Sequence, residues 1–252
     1  MLVVTVVSIL AVLTSCNNEK VKLLDTHLTR DGSYIKHEYD NENRITNVVH
    51  FLYYYMDGQS EPIGSVTMMD TFIYSGNDLV KVVSKGLNNP GFGTSYEVTK
   101  NGNKISIHIK SEHKVMNETV SIDLNGDGYP IRSVAINNET TTIGVYDIQD
   151  GNLMKKSFEI IRDGHTSERS TSYKYDDRKS PLFHSKTPAW WWIFSEGRSV
   201  RNNDIEEYSS NGSKSEYKYE YDKDGYPVRK ISRSSGKNIC EYTYFMSGGR
   251  RN

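Results

Sequence analysis

Short turns built from Asp, Asn and Gly recur along almost the whole chain, and they constrain its fold more than any other feature. Seven instances stand out. They are Tyr39-Asp40-Asn41-Glu42-Asn43-Arg44-Ile45, Tyr74-Ser75-Gly76-Asn77-Asp78, Lys100-Asn101-Gly102-Asn103-Lys104, Asp123-Leu124-Asn125-Gly126-Asp127-Gly128-Tyr129-Pro130, Tyr146-Asp147-Ile148-Gln149-Asp150-Gly151-Asn152, Tyr175-Asp176-Asp177-Arg178-Lys179-Ser180-Pro181 and Tyr221-Asp222-Lys223-Asp224-Gly225-Tyr226-Pro227. Asp and Asn side chains accept hydrogen bonds from the backbone just ahead of them, and Gly takes the positive φ that a tight hairpin demands. The flanks alternate with period two. Ile105, Ile107 and Ile109 share one face, as do Tyr217, Tyr219 and Tyr221, which is the pattern of half-buried strands. Long amphipathic helices are absent. The turns recur at a loose spacing, roughly 22 to 46 residues, where a solenoid or propeller would be regular. The expected fold class is all-β: a large curled antiparallel meander of β-hairpins.

Composition narrows the function classes. The chain has 252 residues, and 18 Tyr contribute heavily to its 36% hydrophobic content. Tyr packs its ring while its hydroxyl stays wet, so the core leans on amphipathic rings, unlike that of a closely packed helical enzyme. Basic residues number 31 and acidic ones 32, for a net charge of -1. That balance provides no electrostatic footprint for nucleic acid or an anionic membrane surface. Two Cys exclude a disulfide scaffold and a cysteine-rich zinc module.

The amino terminus points to the cell envelope. Residues 1–15 read MLVVTVVSILAVLTS and carry no charge. The apolar run Leu2 to Leu13 is shorter than the ~20 residues of a membrane-spanning helix and suits a signal-peptide core. It ends in Leu13-Thr14-Ser15-Cys16, which resembles a bacterial lipobox, and the polar break Asn17-Asn18-Glu19-Lys20 follows at once. The resemblance implies lipidation of Cys16 and, with Asn17 rather than Asp next, an outer-membrane lipoprotein. Acyl chains at ~0.8 kcal/mol per buried CH₂ make such an anchor durable. The expected layout is a signal peptide over 1–15, the lipidated Cys16 with a polar tether over 16–30, and one antiparallel β domain over 31–252. The membrane is then a partner through lipid, no nucleic acid is expected, and no cofactor is implied.

The hairpins resemble YD-type (Rhs-like) repeats, and the whole layout is similar to a family of Bacteroidota-type lipoproteins of unknown function with a porin-like fold. The motif-specific stretch comprises Tyr175-Asp176-Asp177, Ser180-Pro181-Leu182-Phe183, Asn202-Asn203 and Glu220-Tyr221-Asp222-Lys223-Asp224-Gly225-Tyr226-Pro227. The resemblance implies a porin-like or partly open barrel and no assigned activity.

One segment breaks the strand grammar. Thr187-Pro188-Ala189-Trp190-Trp191-Trp192-Ile193-Phe194-Ser195-Glu196-Gly197 reads as a short internal helix over 187–197. Thr187 is its expected cap, Pro188 its first residue and Gly197 its terminator. Trp190, Ile193 and Phe194 then share a face, as a hydrophobic plug against or inside the sheet. Trp190, Trp191 and Trp192 are also the candidate ligand contacts, because exposed indoles would stack on sugar rings. The function expected is a lipid-anchored, non-enzymatic binding or structural module. Its alternative is a glycan-binding accessory lipoprotein of an outer-membrane uptake system, and an envelope protein is a further possible partner.

Other motifs carry less. Asp123-Leu124-Asn125-Gly126-Asp127-Gly128 matches the first half of a calcium loop, but Val134 stands where the bidentate carboxylate belongs, so a plain turn is expected. The seven His (27, 37, 50, 108, 113, 165, 184) show no short-spaced metal pair. No nucleophile elbow or phosphate loop is present, and no catalytic residue is assigned. Cys240 lies in an alternating strand pattern and reads as a small buried residue.

Overall fold

The computed structural model describes residues 20–54, 64–88, 93–111 and 117–248; the leader and Cys16 lie outside them. Sixteen strands follow one another: β1 (Lys22–Thr29), β2 (Tyr34–Tyr39), β3 (Ile45–Tyr54), β4 (Gly64–Ser75), β5 (Asp78–Gly86), β6 (Gly93–Asn101), β7 (Lys104–Ser111) and β8 (Asn117–Leu124). The second half holds β9 (Pro130–Ile136), β10 (Thr140–Gln149), β11 (Asn152–Arg162), β12 (His165–Lys179), β13 (Asn202–Ser209), β14 (Lys214–Tyr221), β15 (Pro227–Ser232) and β16 (Asn238–Met246). One helix, α1 (Ala189–Glu196), interrupts the series between β12 and β13. Each strand pairs antiparallel with its sequence neighbours, and β1 pairs with β16 from Lys22↔Met246 to Thr29↔Cys240. The sheet is therefore a closed barrel with no free edge, which removes the pairing hazard of an open one. Residues 22–29, assigned to the tether from their polar character, instead supply β1. Pairing with β2 on one side and with the last strand on the other makes them a strand.

The turns explain the meander. Asp40, Asn125 and Asp222 build the same five-residue reversal. Asp40 Oδ1 accepts from the amides of Glu42 and Arg44 at 3.0 and 2.9 Å. Asn125 Oδ1 accepts from Asp127 and Tyr129 at 3.0 and 2.9 Å, and Asp222 Oδ1 from Asp224 and Tyr226 at 2.9 and 3.0 Å. The fourth residue of each is left-handed: Asn43, Gly128 and Gly225 have φ of 65°, 82° and 80°. Asn125 thus spends its side chain on its own backbone, as a plain turn does.

Strand alternation sorts the two faces of the wall. Inside, Ile105, Ile107, Val120 and Ile122 are 0–2% exposed and pack in one cluster with Phe72, Val82 and the three tryptophans. Outside, ion pairs run from strand to strand: Lys81–Glu97–Lys110 at 3.8 and 3.1 Å, Lys174–Glu206–Lys214 at 2.8 and 3.2 Å, and Glu220–Arg229–Glu241 at 2.9 and 3.2 Å.

The helix lies inside this wall. Trp191 meets Phe72 and Tyr96 edge-on at 5.8 and 5.4 Å, while Ile193 packs with Tyr146, Leu153 and Tyr173 of the opposite side. Four consecutive residues, Trp190 to Ile193, are 1–5% exposed. A helix that is apolar all round must be buried all round, and a barrel lumen meets that demand. The expected one-sided contact through Trp190, Ile193 and Phe194 is too narrow: Trp191 and Trp192 are buried as well, and Phe194 is only half-buried. Capping also differs. The N-cap position is Pro188, with no side-chain cap, and Thr187 instead latches the helix to β3. Its Oγ1 accepts from Ile45 N at 2.8 Å and lies 3.1 Å from Tyr74 Oη, which itself donates to Ile45 O at 2.9 Å. Gly197 ends the helix with φ 62° and an N–H bonded to Ile193 O, as a left-handed cap should.

The connection that carries α1 is pinned where it leaves and re-enters the wall. Asn203 Nδ2 donates to Asp176 and to Lys179 O at 3.0–3.3 Å, and Asn202 and Asn152 bond reciprocally at 2.9 and 3.2 Å. Tyr221 Oη donates to Asp176 as well. These are the residues of the Tyr175–Asp177 and Asn202-Asn203 motifs, and their work here is structural.

Candidate functional site

The plug divides the lumen unevenly. Toward β3–β11 the side chains of α1 and the wall fill the space. Toward β12–β16, β1 and β2 they leave a partly open cavity of about 350 Å³, bounded by Trp192 and the C-terminal end of α1. Its wall is made by the inward parity of the strands. Tyr173 and Tyr175 come from β12, Asp204 and Glu207 from β13, Tyr217 and Tyr219 from β14, Lys230 from β15 and Cys240 and Tyr242 from β16. His27 of β1, His37 of β2 and His50 of β3 join them, and Lys156 of β11 completes the ring. A larger, more open cleft of about 730 Å³ lies at the turn end, between residues such as Asn77, Gly102, Gly128 and Trp190. Among its lining residues Lys100 and Asp78 are paired with each other at 2.8 Å.

The charges inside the cavity fall into two sets. One set is satisfied. Lys230 Nζ lies 2.8 Å from Asp204 Oδ2 and over the Tyr217 ring at 3.8 Å; Tyr219 Oη donates to Asp204 Oδ1 at 3.1 Å. Burial, aided by the Asp204 charge, pushes the Tyr219 hydroxyl far above its ordinary range, so it stays protonated and can donate to Asp204. His50 Nε2 lies 2.9 Å from Asp70 Oδ2.

The other set is not. Among the described residues Lys156 Nζ has no ion-pair partner within 4.0 Å. It rests against Gly197, where an added Cβ would sit 2.2 Å away. Burial pushes the Lys156 ammonium down from 10.5, Glu207 opposes that shift, and Arg198 adds to it. Arg198 follows Gly197 directly, and its side chain lines the cavity while staying 63% exposed. The nearest carboxylate, Glu196, stands at 3.6 Å, beyond good hydrogen-bond reach. His27 and His37 stay neutral: burial lowers His27 to about 4 and His37 to about 3. Cys240 is a free thiol, 2% exposed and raised by burial, which makes it inert, as its strand pattern suggested.

The sequence-assigned ligand contacts behave otherwise. Trp190, Trp191 and Trp192 are 5%, 5% and 3% exposed, so none offers a ring face to solvent, and only Trp192 reaches the cavity wall. The candidate site is made of Lys156, Arg198, Glu207 and the tyrosines, which sequence reasoning left aside. A signal was present: Lys156 is in phase with Phe158, and Glu207 pairs across the ladder with Tyr173, so both are charges on the inward parity of a strand.

No protein-family model and no curated protein matches the sequence. Among solved structures the chain is similar to a porin-like protein from Bacteroides uniformis ATCC 8492, at 10% identity and a TM-score of 0.36, covering 80% of this chain and 96% of that one. It is also similar to a porin-like protein from Bacteroides vulgatus ATCC 8482, at 14% identity and a TM-score of 0.43, covering 88% and 98%. At these values the closed barrel stands on its own strand ladder, from β1 round to β16.

Proposed function

We propose that this chain is a non-enzymatic binding module of the cell envelope, held to the membrane by a lipidated Cys16, with its barrel in water and a small ligand received in its lumen. The observation that carries the proposal is the polar, partly open cavity inside a closed wall whose outer face is charged. A membrane-spanning barrel shows lipid an apolar band ~25 Å tall, and a Lys or Arg at mid-bilayer costs about 2–4 kcal/mol. Lys81, Lys110, Lys174, Lys214 and Arg229 all face outward from strands. Charged pairs that link neighbouring strands on the outer wall do not fit an apolar lipid-facing band. The lipid anchor then supplies the membrane contact that the wall does not. Val21 N donates to Ser247 Oγ at 2.9 Å, so the chain enters and leaves the barrel side by side, and an anchor at Cys16 would leave the rest of the wall unobstructed.

Three measurements test this. A specific protease site placed at residues 17–19 should release the folded barrel from membranes into detergent-free buffer; a barrel that stays in the membrane after cleavage refutes the water-facing reading. Labelled fatty acid should enter the wild type and not Cys16→Ala. For the lumen, a broad panel of small polar solutes (neutral sugars, sugar acids, amino acids) should include members that change the fluorescence of Trp192 at the cavity wall. Silence across the whole panel removes the lumen as a ligand site.

A further inference from the structure

Resting on the reading of the lumen as a ligand site, we infer that its ligand is a single-ring sugar acid, with the carboxylate taken between Lys156 and Arg198 and the ring against the tyrosine wall. Three observations converge on this chemistry. The first is the pair of cations. Lys156 Nζ packs on Gly197, Arg198 is the next residue, and both side chains line the cavity. Among the described residues neither donates a side-chain hydrogen bond, and the closest carboxylate to either is Glu196 at 3.6 Å from Arg198. Cations held inside a protein are ordinarily paired, and Arg offers its planar fork of N–H donors to a carboxylate.

The second is the hydroxyl-reading wall. Tyr217 and Tyr242 line the same cavity, and Glu207 brings a carboxylate with no ion-pair partner within 4.0 Å among the described residues. Glu207 cannot accept a second carboxylate beside it, but it can accept hydrogen bonds from sugar hydroxyls. It therefore orients the ring, with the acid end toward Arg198 and the hydroxyl edge toward Glu207. The third is size. About 350 Å³ lies at the small end of ligand pockets, ~300–1,000 Å³, and gives room for one ring with its substituents. Lys230 and Asp204 neutralise each other at 2.8 Å and leave the choice of ligand charge to the other groups.

The test uses the full-length protein in detergent and three probes: D-glucuronate, D-galacturonate and neutral D-glucose, each titrated calorimetrically. The expected result is binding of at least one acid with at least tenfold preference over glucose, weakened by added salt. Arg198→Gln and Lys156→Met should each cut acid affinity tenfold or more, with Arg198→Lys recovering part of the loss. Unfolding curves of the variants separate lost binding from lost structure. Equal binding of acid and glucose overturns the carboxylate assignment and leaves the lumen as a ligand site. Binding of neither also overturns it, and the lumen then stands or falls on the wider fluorescence panel. Acid binding that survives both charge-removing variants places the anion elsewhere and overturns the assignment to Lys156 and Arg198.

Discussion

Replacing Thr187 with Val isolates the latch between the plug and the wall. The side chain keeps its shape and loses only the hydroxyl, and Thr187 is 3% exposed, so water does not replace what is removed. Ile45 N–H then faces a methyl group. Its only side-chain acceptor, Thr187 Oγ1 at 2.8 Å, is gone, and Ile45 is itself 0% exposed. A buried donor left unpaired costs about 1–3 kcal/mol. Tyr74 Oη keeps its bond to Ile45 O at 2.9 Å and loses only the 3.1 Å contact to Thr187, a further fraction of a kcal/mol. The expected loss is about 2–3 kcal/mol, read as a lowered urea midpoint with unchanged slope by intrinsic fluorescence. Thr187→Ser retains the hydroxyl and should lose much less. A double-mutant cycle with Tyr74→Phe should show a coupling of about 0.5 kcal/mol or more, because both hydroxyls serve the same backbone site. A Thr187→Val protein as stable as wild type would falsify the latch and return Thr187 to a dispensable position ahead of the helix.

Further outcomes follow from the same structure. Ile193→Ala removes a side chain that is 1% exposed at the centre of the lumen and should cost about 2–5 kcal/mol in denaturant unfolding. Gly197→Ala meets both a left-handed backbone, φ 62°, and the Lys156 ammonium 2.2 Å from the new Cβ; a loss of about 1 kcal/mol for the backbone alone is expected, with weakened sugar-acid binding as Lys156 is displaced. His37 gives an acid limb. Burial first, and then the neighbouring His27, hold His37 near 3 when folded, against ~6.5 unfolded, so the unfolded chain binds the extra proton between those values. Stability is complete above about pH 6.5 and falls toward pH 3, by about 2 kcal/mol between pH 7 and pH 5 from this one residue. His37→Phe should flatten that part of the unfolding-versus-pH curve, and an unchanged slope would refute the assignment.

Local chemistry made the strands and turns legible. Asp40, Asn125 and Asp222 each close a reversal through their own carbonyl oxygens, whatever the rest of the chain does, and Ile105, Ile107 and Ile109 declare a one-sided strand by parity alone. The Trp190–Ile193 run announced a short hydrophobic helix, and Gly197 its end, while the burial of Trp191 and Trp192 as well came from the closed wall around them. What tertiary structure decided were relations between distant residues. Whether the sheet closes depends on β1 finding β16, some 220 positions away, which polar residues 22–29 do not advertise. Thr187 has the right chemistry for a cap and is used as a latch, because Ile45 offers a buried amide within reach. The candidate site is less local still. Lys156, Arg198 and Glu207 look like ordinary surface charges in the sequence, since a charge by itself does not record which side of a wall it faces. Only the closing of the barrel turns an inward parity into an interior, and only the seating of α1 off-centre leaves part of that interior unfilled.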